Sequence, residues 1–149
     1  MQLHRLLNAH DTCFTTLPVD APLGEAVIAM TRYGKTAVAV MEGDRLSGIV
    51  TRGDLLACLG SNPGQPLEKK HLSQVMTGEP VCGDPGESLE QALDRMAQSR
   101  VEHLPVVDAG KLVTVLNQRQ LLQARIELLQ EAVNHLQEYV ERLHDAAQD

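Results

Sequence analysis

Apolar positions recur along the chain at two alternating periods. Leu3, Leu6 and Leu7 mark a short amphipathic helix, and Leu72, Val75 and Met76 repeat that spacing further on, so that each is expected to lead in a half of the chain. Phe14 to Leu17 reads as a short extended segment turned by Pro18-Val19-Asp20-Ala21-Pro22. Leu23, Ala26, Val27 and Met30 then follow i, i+3, i+4, i+7, which predicts a helix with one apolar face, stopping at Tyr33-Gly34 where glycine supplies the turn. Thr36 to Met41 and Leu46 to Thr51 are near-continuous apolar runs, read as two strands covered on both faces and joined at Glu42-Gly43-Asp44-Arg45. A helix through Leu55, Leu56 and Leu59 ends at Gly60, and Gly60 to Pro66 is dense in residues that punctuate structure.

The same order then repeats. Sliding the chain on itself by 66 residues, the separation of Asp54 and Gln120, lays Asn117-Gln118-Arg119-Gln120-Leu121-Leu122 on Thr51-Arg52-Gly53-Asp54-Leu55-Leu56. The register holds through Leu23/Leu89, Ala26/Ala92, Met30/Met96, Val40/Val106 and Leu46/Leu112. One unit duplicated at a fixed offset implies two copies of one supersecondary element packed together. In the second copy Pro80 to Cys82 is extended, Ser88-Leu89-Glu90-Gln91 forms a capping box, and Leu89, Ala92, Leu93 and Met96 carry the core face. Ala109-Gly110-Lys111 turns one strand into the next. Pro105 fits only where no ladder donor is needed, at an edge or a strand start.

Thr51 and Asp54 stand where an apolar strand meets a helix. They suit a capping box, with the Thr51 hydroxyl accepting from a first-turn amide and Asp54 at N3. The same geometry suits a ligand, because a helix N-terminus attracts phosphate while a carboxylate accepts two ribose hydroxyl protons.

With two copies of this pattern over roughly Leu3 to Leu122, the chain resembles the CBS domain family, named for cystathionine β-synthase, whose units occur as tandem pairs. The resemblance implies an α+β fold of two β-α-β-β-α units packed with pseudo-two-fold symmetry. The expected divisions are 1–60 for the first unit, 61–70 for the linker, 71–122 for the second unit and 123–149 for a C-terminal helix. It also implies a nucleotide site in the cleft between the halves. Carried over by motif, that site takes Thr15 and Thr16, then Thr36, Ala37 and Val38, then Thr51, Arg52 and Asp54. The second copy offers His103, Leu104 and Pro105 with Asn117 and Gln120. There an amide replaces the carboxylate, so the cap survives while a charged diol acceptor is lost, and the second site is expected to be weak. The ligands implied are AMP, ADP, ATP or S-adenosylmethionine, bound for regulation.

Beyond the repeat a periodic stretch without glycine or proline runs from Gln118 to the end. Ile126, Val133, Val140 and Ala147 fall seven apart, with Leu122, Leu129, Leu136 and Leu143 between them. Mostly β-branched residues at a with leucine at d favour a parallel two-stranded coiled coil, hence a homodimer. Its length, about 48 Å at 1.5 Å per residue, exceeds what a small domain needs for its own packing. The other reading is an amphipathic helix folded back on its own body, its apolar face widened by Ala132 and Tyr139. The e and g positions, Gln123, Gln130, Gln137 and His144 with Arg125 the only formal charge, leave orientation unspecified by ion pairing. The resemblance implies that such a helix can carry a signal to an attached output domain or effector, and nothing in the sequence identifies one.

Composition narrows the classes. At 149 residues and 43% hydrophobic, with no Trp and one Phe, the chain builds an aliphatic core in two halves. A net charge of −7 and a pI near 5.3 disfavour a nucleic-acid partner. No apolar run approaches a membrane span and no signal peptide opens the chain, so a cytoplasmic protein without membrane partner is expected. Cys13, Cys58 and Cys82 lack a C-x-x-C pair, and His4, His10, His71, His135 and His144 lack metal-ligand spacing. Without a catalytic motif, the expectation is no enzyme, no metal and no catalytic residue. Together with the resemblance, this leaves two expected functions: a regulatory adenine-nucleotide sensor signalling through its C-terminal helix, or a structural dimerisation module in which Thr51 and Asp54 only cap.

Overall fold

The computed structural model describes residues 1–9 and 14–148; His10 and Cys13 fall outside them. Each copy builds a helix and an antiparallel hairpin. In the first, α2 (Leu23–Arg32) precedes β2 (Ala37–Glu42) and β3 (Arg45–Thr51), with β1 (Thr16–Pro18) parallel to β2 and α3 (Arg52–Ser61) after β3. In the second, α4 (Leu89–Ser99) precedes β5 (His103–Asp108) and β6 (Lys111–Asn117), and α5 (Gln118–Gln148) follows. The two-residue β4 (Thr77–Gly78) pairs antiparallel with β3 and completes a four-stranded sheet ordered β1-β2-β3-β4. β3 and β6 touch where the copies meet.

The 66-residue offset survives in backbone detail. Both hairpins carry a bulge, at Val40/Met41 and at Val106/Val107, and the pairing Leu17↔Val40 recurs as Gly83↔Val106. Capping boxes close Ser88 on Gln91, Thr51 on Asp54 and Asn117 on Gln120, as the sequence leads one to expect.

Pro105 explains one departure from symmetry. In the first copy the Ala39 amide donates to the Thr15 carbonyl at 3.0 Å. Pro105 stands at the equivalent position and has no N–H to give Val81, so the first strand of the second copy shrinks to a single bridge at Gly83. Pro105 is therefore inside β5, with its nitrogen turned away from β6; its carbonyl accepts from Gly83 on that same side.

The lead-in segments cross over. α1 (Leu3–Ala9) precedes the first copy but buries Leu3 and Leu6 in the second core, with Leu89, Ala92, Met96, Leu104 and Leu121. The Leu3 amide donates to the Glu87 carbonyl at 2.9 Å, and the Leu89 amide to the Met1 carbonyl at 2.8 Å. The second lead-in, a 3₁₀ turn at Leu72–Gln74, buries Leu72 in the first core with Leu23, Ala26, Val38, Val40, Val50 and Leu67. Its backbone is held likewise, Leu72 N–H to Ala21 carbonyl at 2.9 Å and Ser73 N–H to Val19 carbonyl at 3.1 Å. Each lead-in precedes one copy and completes the other.

Two helices bury less than their sequences suggest. On α2 the buried stripe is Leu23, Ala26 and Ala29, while Val27 and Ile28 face outward. α3 buries no residue; Leu55 and Cys58 rest half-buried on the first core, whereas Leu56 and Leu59 are 69% and 57% exposed. Helix α5 divides its faces. Leu121, Ala124 and Leu128 pack on the second core, and every side chain from Glu131 to Gln148 is exposed. At about 100° per residue the heptad seam lies roughly 140° round the helix from that packed face. Folding back on the body therefore uses c and f positions near the helix start, and the seam residues Leu122, Ile126, Leu129, Val133, Leu136, Val140 and Leu143 stay exposed.

Gly48 is where β4 closes on β3. A Cβ there would stand 2.6 Å from Met76 Sδ and 2.7 Å from the Thr77 carbonyl oxygen, and backbone cannot move aside cheaply. Gly48→Ala should cost about 1–3 kcal/mol in urea unfolding. Gly78→Ala, with open space around the new methyl, should stay within about 0.5 kcal/mol. Equal effects from the two would refute the close approach.

Candidate functional site

The copies enclose a cleft of about 770 Å³ at the junction of β3, β4 and β6. Its first-copy wall is Thr36, Ile49 and the turn Thr51-Arg52-Gly53-Asp54. Thr77, paired with Ile49 where β4 joins β3, continues that wall; the opposite wall is Glu79 to Val81, then Arg100 to His103, then Asn117 to Arg119. Both strand-to-helix turns singled out by the repeat thus open onto one space, because each hairpin ends on the same side of the interface.

Asp54 is held tightly. Its Oδ2 accepts from the Thr51 amide at 2.8 Å and the Thr51 hydroxyl at 3.1 Å, and its Oδ1 accepts from the Thr77 hydroxyl at 3.0 Å. The Thr51 hydroxyl in turn accepts from the Asp54 amide at 3.4 Å. A carboxylate offers about four lone-pair positions, so these bonds leave roughly one open. Across the cleft the Gln120 amide N–H donates to Asn117 Oδ1, and the Asn117 N–H to Gln120 Oε1, each at 2.8 Å. Asn117 lines the cleft while Gln120 stays behind it, occupied with the cap.

His103 joins the copies. Its Nε2 lies 2.7 Å from Thr36 Oγ1, 67 residues away in sequence. Burial pushes the imidazole below the ordinary histidine value of 6.5; the Glu102 carboxylate opposes that shift and the Arg52 guanidinium adds to it. The neutral ring is therefore the folded-state form near neutral pH.

The charges on the walls are peculiar. Arg52 and Arg119 lie in the first turns of α3 and α5, where the helix dipole favours anions and disfavours cations. Neither makes an ion pair among the described residues, where the salt bridge is Arg95 to Glu87. Arg100, in a left-handed conformation at the end of α4, brings a third guanidinium, and Glu79 and Glu102 bring carboxylates.

Other residues singled out from sequence lie elsewhere. Val38, Leu104 and Pro105 have fully buried side chains in the strand cores, and Ala37 is half-buried opposite Thr51 at the start of β2. Thr15 accepts the Ala39 amide with its carbonyl, and Thr16 lines a separate open groove of about 590 Å³ with Phe14, Leu17, Met41 and the hairpin residues Asp44 and Lys111. Cys58 and Cys82 are half-buried free thiols; burial raises the Cys82 pKa above its ordinary value, against Arg95, which lowers it. Conversely, Thr77, Glu79, Arg100 and Arg119 face the cleft without having been singled out. The repeat offers a signal for Pro80 and Val81, equivalents of Phe14 and Thr15, but none for Arg100, which a helix end delivers.

Three comparisons bear on this architecture. The profile of the CBS domain family matches residues 10–61 and 72–127. Inosine-5′-monophosphate dehydrogenase of Methanocaldococcus jannaschii is 32% identical over 74% of the chain, which spans only 21% of that enzyme. The CBS domain-containing protein YhcV of Bacillus subtilis is 33% identical over 71% of this chain and 76% of its own length. Among solved structures, a CBS-domain containing protein from Agrobacterium tumefaciens superposes with a TM-score of 0.77 at 24% identity, covering 84% of this chain and 99% of the other. CBSX2 in complex with AMP gives 0.70 at 21% identity, covering 78% and 91%.

A group whose folded pKa lies below its unfolded pKa binds fewer protons when folded, so stability falls as pH drops through that window. His103 should thus titrate by NMR with a midpoint below 6.5. Wild-type stability should decline more steeply than that of His103→Gln as pH falls from about 6.5 toward that midpoint. A midpoint at or above the ordinary value would remove the effect.

Proposed function

Given that the chain belongs to the CBS domain family, we propose that it is a dimeric regulatory module, binding an adenine nucleotide or related adenosyl compound in the cleft and reporting occupancy through α5. The observation that carries this reading is the placing of Arg52 and Arg119. Two guanidinium groups without an ion pair among the described residues stand on helix N-termini that repel them, and both face one cavity. Each such placement costs about 0.3–1 kcal/mol in the empty protein. An anionic ligand between them offsets that cost, since the helix amides and the arginines then attract the same charge. Local rules broken together at one concave place are the mark of a functional site.

The ligands in view are AMP, ADP, ATP and S-adenosylmethionine, and AMP is the ligand named for the CBSX2 structure. In this reading Asp54 accepts from the ribose, Thr51 and Arg52 attend the phosphate, and the first-copy turn binds more strongly than the second, where Gln120 carries no charge. The reading assigns no catalytic residue. It places the protein in the cytoplasm, and among the described residues no helix is long and apolar enough to cross a membrane. Because α5 grows directly from the turn at Asn117, a ligand that shifts β6 also shifts the helix, toward an effector or an attached output domain.

The rival is a ligand-independent dimerisation module. It is favoured by the Asp54 hydrogen bonds, which leave the carboxylate largely satisfied without any guest. A thermal-shift panel of the four ligands on wild type and Asp54→Asn separates the two. Sensing predicts a rise of roughly 5–10 °C at a hundredfold excess over Kd, lost in the variant without a comparable fall in its unliganded stability. No shift with any ligand leaves the scaffold.

Dimerisation is tested on its own. Replacing Leu129 and Leu136, both outward-facing, with Lys should turn a sedimenting dimer into a monomer while the unfolding of the two cores changes little. A wild-type monomer at micromolar concentration would refute the seam.

A further inference from the structure

The hydrogen bonds of Asp54 differ in how readily each can be given up. Both bonds on Oδ2 come from Thr51 and belong to the cap, so breaking them unravels the start of α3. The bond on Oδ1 comes from Thr77, an exposed side chain on the two-residue β4, and a hydroxyl rotor can leave it without backbone movement. Oδ2 thus has both lone pairs in use, while Oδ1 has one taken and one open. A ligand with one hydroxyl can take the open position beside Thr77. A vicinal diol needs two, and the second is Thr77's.

We propose that Thr77 is a specificity-determining residue of the cleft, competing with the second hydroxyl of a diol ligand for Asp54 Oδ1. This rests on the nucleotide reading above. Binding of a ribonucleotide then evicts the Thr77 hydroxyl, whereas a deoxyribonucleotide leaves it in place. The contact also ties α3 to the chain entering the second copy, where Glu79 adopts φ +47° and Pro80 and Val81 line the same cleft. Eviction therefore releases this side-chain tie only when the ligand carries the diol, while the His103–Thr36 contact stays in place.

The test is calorimetric titration of AMP and 2′-deoxy-AMP into wild type, Thr77→Val and Thr77→Ser. Thr77→Val removes the competitor at nearly constant shape. AMP should bind about tenfold tighter to it than to wild type, the equivalent of one hydrogen bond to a charged group. Binding of 2′-deoxy-AMP should change by less than about twofold, and Thr77→Ser, which keeps the hydroxyl, should match wild type for both ligands. Weaker AMP binding by Thr77→Val, or an equal gain for both nucleotides, overturns the competition while leaving the nucleotide site standing. A gain for AMP in Thr77→Ser does the same. Failure of all three proteins to bind either nucleotide overturns the nucleotide site and the role of Thr77 with it.

Discussion

Each core is completed by a segment that precedes the other copy, and the rest of the molecule depends on that exchange. Leu3 and Leu6 sit among side chains of the second copy, Leu72 among those of the first, and backbone hydrogen bonds fasten both. Burying a Leu side chain contributes about 1.5–3 kcal/mol, so these crossovers draw the copies together through their cores as well as through the surface between β3 and β6. The cleft exists because the crossover holds two strand-to-helix turns face to face. A loose pair of small domains would not keep that spacing.

Within this frame Asp54 has three tasks at once. It caps α3, it orders the Thr51 hydroxyl, and through Thr77 it reaches the segment that enters the second copy. These hydrogen bonds make it a structural residue in the empty protein. Its position on the wall of the cleft makes it a candidate ligand group as well, and the two roles compete for the same lone pairs. The second copy keeps the cap and loses the carboxylate, so Asn117 and Gln120 close only on each other. Both duplicated turns keep the cap, and the first alone keeps a carboxylate in it.

The long helix separates in the same way into a part packed on the second core and a part whose side chains are exposed. Its first three turns finish the second core, through Leu121, Ala124 and Leu128. The side chains of the remainder are exposed, yet repeat apolar residues at heptad spacing on a face turned away from the body. Helix propensity alone supports little stability over such a length in water, and the proposed dimer would supply the packing through a partner helix.

The repeat, its 66-residue register, the helix caps, the hairpins and the heptad seam were all legible in the sequence, because these rest on local spacing and on side chains that bond within four residues. The sequence indicated both turns that face the cleft for the same reason. Long-range packing is what crosses the lead-in segments, leaves the second copy without a full first strand at Pro105, turns Leu56 and Leu59 outward, and brings Thr77, Arg100 and Arg119 to the cleft. Those outcomes depend on which surfaces meet at long range, and apolar periodicity states that a face must be covered without naming what covers it. Thr77 meets Asp54 across 23 residues of chain, a distance at which no local pattern records a hydrogen bond.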